Sequence, residues 1–353
     1  MSLFGWQPQQ LLGELLEFNR RAVEGVQTLS RLPAIDVGSS AHQVIHRQDK
    51  LTLNYYPPAR PSLHTPLLIV YALVNRPYIL DLQPDRSLIA ALGARGIPVY
   101  LIDWGYPDQA DRYLDLDDYL NDYLDGCVDQ VRRHAGSPQV NLLGVCQGGV
   151  FSLCYSCLQP AKVKNLITLV TPVDFHTDDN LLAALARQID AQLVLDTYGN
   201  FPGPMMTRAY NSLMPMRLGL HKHLNLPQHL DEPQRAGNYL RMERWINDGP
   251  DLAGAAFKEF VQQFFCANAL VNGGLQIGGL PVDLSRLPQP LLNLFASKDH
   301  LVPPSASKAL AQLTGSQDYS EKEYPGGHIG VFVGRQAQTV LPDDIADWLR
   351  QRD

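Results

Sequence analysis

Residue type and spacing speak most directly of chemistry in the stretch Gly144-Val145-Cys146-Gln147-Gly148-Gly149. A thiol sits there between glycines two positions before and two positions after it. The apolar run Val140–Val145 precedes it and a helix-like segment, Val150 to Leu158, follows. Strand, tight turn and helix in that order form the setting of a nucleophile elbow, in which the glycines let strand and helix approach too closely for side chains. The nucleophile then stands at the carboxyl edge of a sheet and at a helix N-terminus. A serine is usual there; this chain has Cys146. Near a helix N-terminus and a histidine a thiol is partly thiolate close to neutral pH. Thiolates exchange acyl groups with thioesters at little free-energy difference, so the pattern points to acyl transfer through Cys146.

An elbow of this kind needs an acid and then a histidine, each in a loop after a later strand. Leu291–Ala296 reads as one such strand, with Ser297-Lys298-Asp299-His300 behind it, and Tyr319–Tyr324 as the other, with Pro325-Gly326-Gly327-His328 behind it. Cys146, Asp299 and His328 thus follow one another in the required order. His300, beside Asp299, is assigned a supporting role, because neighbouring loop residues point in different directions. An oxyanion hole is expected from the backbone N–H of Gln147, just past the nucleophile, and from the loop after Leu67–Tyr71, near Val74. There is no metal-ligand cluster and no Gly-rich phosphate motif followed by a suitable lysine, so neither metal nor cofactor is expected.

Positioning these groups falls to short apolar runs at Leu67–Tyr71, Val99–Ile102, Val140–Val145, Leu166–Val170 and Leu291–Ala296, and to a strand from Lys50 to Tyr56. Helix-period segments lie between them, at Arg86–Ala94 and Leu116–Val131, and an amphipathic helix over residues 8–27 precedes them. Apolar strands alternating with helices argue for a doubly wound, mostly parallel α/β sheet covered on both faces. Between Val170 and Leu291 lie about 120 residues, far too long for a loop. Residues 175–280 therefore read as an inserted helical cap on a core of residues 1–174 and 281–353. That segment holds Met205, Met206, Met214 and Met216 near Arg208, Arg217 and Lys222, then Phe257, Phe260, Phe264 and Phe265. These are read as cap core, with an adaptable apolar surface as the alternative. Eight aspartates between Asp103 and Asp125 read as a solvated helix start. Cys154 and Cys157 read as small buried hydrophobes one helical turn apart, without the partners zinc would need.

With 353 residues, 45% of them apolar and 18% charged, the chain has the composition of a globular protein. Its formal charge of −7 argues against a phosphate-tracking surface and hence against nucleic acid as a partner. Five cysteines, an odd number, argue against a disulfide framework. No secretory signal is read at Met1-Ser-Leu-Phe-Gly-Trp and no run is long and apolar enough to span a membrane, so a cytosolic or peripherally attached protein is expected.

Several stretches, spread along the chain in order, resemble the catalytic subunit of class III polyhydroxyalkanoate synthase, a member of the α/β-hydrolase superfamily. They are Leu67 to Tyr78, Tyr100 to Asp111, Gly144 to Gly149, Thr168 to Phe175, Asp299 to Pro304 and Pro325 to Gly330. The resemblance implies an α/β-hydrolase fold with a helical cap and polymerisation of (R)-3-hydroxyacyl-CoA, with short-chain 3-hydroxybutyryl-CoA as the expected monomer. It implies Cys146 as nucleophile carrying the growing polyester as a thioester, His328 as general base and Asp299 as its acidic partner or as activator of the substrate hydroxyl. It also implies a second, non-catalytic subunit, a homodimer and a cytoplasmic site at the surface of polyester granules. The residues alone leave two other readings open. One is a cysteine hydrolase cleaving a small ester or thioester, and the other a catalytically silent scaffold that coats a granule or binds a partner.

Overall fold

The computed structural model describes residues 8–32, 34–213, 230 and 232–353. Met214, Met216, Arg217 and Lys222, singled out above, lie outside the described residues. The chain falls into two contact units, residues 1–37 with 214–247 and residues 38–213 with 248–353.

In the first unit a long helix, α1 (Pro8–Arg31), carries the amphipathic segment expected at residues 8–27. It meets the chain ahead of a helix at Pro233–Asn247, where Gly25 approaches Leu230 so closely that an added Cβ would stand 2.9 Å from the leucine Cβ. Arg241 and Arg244 of that helix donate to the carbonyls of Asp36 and Ile35 at 2.8 and 2.7 Å.

The second unit is built on an eight-stranded sheet: β1 (Gln43–Gln48), β2 (Leu51–Tyr56), β3 (Leu67–Val70), β4 (Val99–Asp103), β5 (Val140–Val145), β6 (Val163–Leu169), β7 (Leu291–Ala296) and β8 (Tyr319–Tyr324). Its spatial order is β1-β2-β4-β3-β5-β6-β7-β8. The pairs β1–β2 and β2–β4 are antiparallel and all later pairs parallel. Every residue of β3, β5 and β7 is buried, as expected of mainly apolar strands in a doubly covered sheet, and the buried Asn141 and Asn293 are hydrogen-bonded there. The edge strand β1 escaped the sequence reading because it is mostly polar and largely exposed, and so carries no apolar run.

From β3 the chain runs to β4 on one side, and β5 then returns to the other. The carboxyl ends of β3 and β5 therefore border a topological switch point, where doubly wound sheets open a crevice for ligands.

Helices form where local signals agree. Of the segment expected as helix at Arg86–Ala94, the first two residues are extended. Ser87 holds β-type dihedrals and its hydroxyl accepts from the Ala90 N–H at 2.9 Å, so α2 begins at Leu88 and runs to Ala94. The expected helix Leu116–Val131 is a π turn, Asp118–Leu124, leading into α3 (Asp125–Ala135), which Gly136 stops in a left-handed conformation. Its aspartates act locally. Asp115 and Asp118 accept from each other's backbone N–H at 3.0 and 2.9 Å, and Lys50 pairs with Asp108 and Asp111. The helix α4 (Gln147–Leu158) is buried along most of its length. On it Cys154 is buried and Cys157 donates to the Asp283 carbonyl at 3.4 Å, and both are free thiols. Among the described residues no group of His, Cys, Asp and Glu could hold a metal ion.

Between β6 and β7 the second unit carries the helices α5 (Leu181–Ala186), α6 (Ala191–Tyr198), α7 (Gly203–Ser212) and α8 (Gly254–Phe260), the last continuing as a π turn over Val261–Cys266. Phe257, Phe260, Phe264 and Phe265 form an aromatic cluster with Phe175 and Phe201; the Phe201–Phe257 ring centres are 4.3 Å apart and those of Phe260–Phe264 4.5 Å. Edge and offset contacts of this kind add to the burial energy of the rings.

Candidate active site

The turn between β5 and α4 holds Cys146 at φ +55° and ψ −122°, outside the ordinary regions for a residue with a side chain. The glycines around it are demanded by close approach. A Cβ on Gly144 would stand 2.4 Å from the Gly149 Cα, one on Gly148 2.1 Å from the Val70 carbonyl oxygen, and one on Gly149 1.8 Å from the Thr171 hydroxyl. The strained turn is pinned at both ends: the Cys146 N–H donates to Leu169 O at 2.9 Å, and Cys146 O accepts from the Gly149 N–H at 2.9 Å.

Asp299 and His328 arrive from the loops after β7 and β8, as the sequence indicated. One Asp299 oxygen accepts from the backbone N–H groups of Leu301 and Val302, both at 2.9 Å, and the other accepts from His328 Nδ1 at 2.7 Å. Both side chains are buried. Burial alone would pull the imidazole down. The Asp299 carboxylate and the Cys146 sulfur outweigh it and push His328 up from 6.5 to about 10. Cys146 lies close enough to His328 to add to that rise, so acid, imidazole and thiol are gathered at one place. His300 is half-buried beside Asp299.

The loop after β3 is held against this site. The Gln147 side-chain oxygen accepts from the Leu73 N–H at 3.0 Å, Trp104 Nε1 donates to Tyr71 O at 2.9 Å, and Arg76 donates to Asp103 and to Gly105 O at 2.6 Å each. Val74 and Gln147 both border the cavity that holds Cys146, and among the described residues no acceptor takes the Val74 N–H. The cavity measures about 120 Å³. Its walls are almost wholly apolar and come from the β3 loop, from α5 and α7, and from the Phe257–Phe265 segment.

Two phenols near the thiol were not legible as site residues. Tyr210, on α7, lines the cavity, and Tyr71 is buried close enough for both Cys146 and Tyr210 to act on it. Burial first, and then the Cys146 charge, raise both phenols. Tyr71 reads as the last residue of an apolar strand and Tyr210 falls within the segment read as a cap, so neither carries a sequence signal of its own.

The sequence matches the α/β hydrolase fold family over residues 65–335 and the N-terminal region of poly-beta-hydroxybutyrate polymerase (PhaC) over residues 33–92. It is 51% identical over 352 residues to the poly(3-hydroxyalkanoate) polymerase subunit PhaC of Allochromatium vinosum, covering 98% of each chain. The chain belongs to the poly(3-hydroxyalkanoate) polymerase family. PhaC subunits of Thiocystis violacea and of a Synechocystis species are 48% and 44% identical, with 98% of this chain covered in both cases and 98% and 94% of those proteins. Among solved structures, a monoacylglycerol lipase of Paleococcus ferrophilus aligns over 86% of this chain and 99% of its own, with a TM-score of 0.55 at 16% identity. A monoglyceride lipase of Saccharomyces cerevisiae aligns over 91% and 98%, with a TM-score of 0.57 at 13% identity. These bear out the α/β-hydrolase fold expected for this polymerase family member.

Proposed function

We propose that this chain polymerises (R)-3-hydroxyacyl-CoA into polyester with release of CoA, through a thioester on Cys146. The observation that carries the reading is the apolar cavity at the Cys146 thiol, beside the hydrogen-bonded pair His328 and Asp299. In each cycle His328 takes the Cys146 proton, and the sulfur attacks the acyl-CoA thioester. The oxyanion is stabilised by the Gln147 and Val74 N–H groups, and CoA leaves with the proton from His328. The hydroxyl of a second hydroxyacyl-CoA then gives its proton to His328 and attacks the acyl group on Cys146. An ester bond forms, the carbon–sulfur bond to Cys146 breaks, and the thiol regains the proton. The lengthened chain, now on CoA, is returned to Cys146 by repeating the first step. Asp299 holds the imidazole by Nδ1 and stabilises its cation, and His300 supports that loop. Few polar groups line the cavity to order a water, so the acyl-enzyme meets a hydroxyl delivered by substrate before it meets solvent. In this reading residues 175–213 and 248–280, which belong to the same unit as the sheet, act as its cap.

The family resemblance supports short-chain monomers, a second non-catalytic subunit, a homodimer and a place at the granule surface in the cytoplasm. None of the described helices is long and apolar enough to cross a membrane. Thiol release from (R)-3-hydroxybutyryl-CoA tests the reaction, with and without the second subunit and with the acyl product analysed in parallel. CoA with insoluble polyester is expected; CoA with only free hydroxyacid would replace the reading with a thioesterase.

A further inference from the structure

The cavity around Cys146 has few polar side chains, and two of them are already engaged. The Gln147 oxygen accepts from Leu73, and the Asn180 oxygen accepts from the Ala183 N–H at 3.0 Å at the start of α5. Tyr210 differs. It is half-buried on α7 and lines the same cavity as Cys146, and among the described residues nothing pairs with its hydroxyl. Burial holds the phenol protonated, so it stands ready as a donor. A donor left free on the wall of an apolar cavity can pair with an acceptor brought by whatever fills that cavity. A polyester offers one ester carbonyl per monomer and no donor along its length, and the acyl chain on Cys146 would occupy this space.

We propose that the Tyr210 hydroxyl donates a hydrogen bond to an ester carbonyl of the chain carried on Cys146, setting the register in which that chain lies. The proposal rests on the polymerase reading above. It makes Tyr210 a substrate-holding residue that acts on oligomers and not on the first monomer, which carries no ester.

The test compares wild type with Tyr210→Phe, which keeps the ring. Single-turnover CoA release is followed with two substrates: (R)-3-hydroxybutyryl-CoA, and the CoA thioester of its linear dimer, which carries one ester. The ratio of the dimer rate to the monomer rate is expected to fall about three- to tenfold in the variant relative to wild type, the size expected for one neutral hydrogen bond. Equal behaviour of the two proteins with both substrates would overturn the proposal, and so would an equal loss with both, which would mark a packing role. Failure of the polymerase reading looks different: wild type itself would release CoA from neither substrate, or yield only free acid.

Discussion

At the scale of single residues the proposed roles of Cys146, His328 and Asp299 can each be tested. Changing Cys146 to Ala should lower CoA release at least about a hundredfold while leaving the thermal unfolding midpoint near that of wild type, because the side chain stands at a cavity and not in the core. Turnover above a few per cent of wild type in a thiol-release assay would reject Cys146 as nucleophile. Asp299 offers a test by pH. The folded His328 value lies above the unfolded 6.5, at about 10, with Asp299 the leading cause of the rise against burial. A group raised in this way contributes stability that is fully present below about 6.5 and is lost as the pH climbs through about 10. Asp299→Asn keeps an oxygen for the Leu301 and Val302 N–H groups but removes the charge. The stability advantage of wild type over Asp299→Asn, read from urea midpoints, should therefore be largest near pH 6 and shrink steadily towards pH 10. A gap that stayed constant across that range would mean that the carboxylate does not hold the imidazole charged.

At the scale of elements the decisive object is the turn that joins β5 to α4. Gly148 and Gly149 face backbone and a buried threonine at distances no Cβ can occupy, whereas Gly93, within α2, has nothing within 4 Å and an ordinary φ. Gly148→Ala should destabilise by about 2 kcal/mol or more through overpacking at the elbow. Gly93→Ala should be neutral or stabilising by up to about 1 kcal/mol. Differential scanning calorimetry on the pair separates a glycine required by contact from one that is merely present, and equal shifts would remove the close-approach argument. Much of this element layer was legible in the sequence. The runs at Val140–Val145, Leu291–Ala296 and Tyr319–Tyr324 are strands with those same bounds, because buried parallel strands leave a mainly apolar signature, broken in the first two only by Asn141 and Asn293 among polar residues, and turn residues frame the last one. The edge strand β1 was not legible, and neither were the π turns at Asp118–Leu124 and Val261–Cys266, which keep helical periodicity and differ only in hydrogen-bond register.

At the scale of the whole molecule, the α/β-hydrolase scaffold is shared with lipases, whose reaction ends in water. The scaffold therefore does not choose between hydrolysis and transfer; in the proposed reading the lining of the space around Cys146 does. Order along the chain revealed which loops carry Cys146, Asp299 and His328. It could not reveal that cavity, because its walls come from Leu73, Leu185, Met206, Phe257 and Val302, distant in sequence and each indistinguishable from ordinary core. The lining can be altered with little change in shape at Met206, a partly buried residue on α7 that borders the cavity. Met206→Gln nearly preserves the length of the side chain but offers both a donor and an acceptor, enough to stabilise a water that the thioether does not. If apolar walls are what keep water from the acyl group, this variant should still form the thioester at close to the wild-type rate. The free hydroxyacid share of its product should rise several-fold at the expense of polymer. Rapid-quench analysis of (R)-3-hydroxybutyryl-CoA turnover gives both numbers from one experiment. An unchanged ratio of acid to polymer would place the choice elsewhere, in the rate at which the second hydroxyacyl group reaches His328.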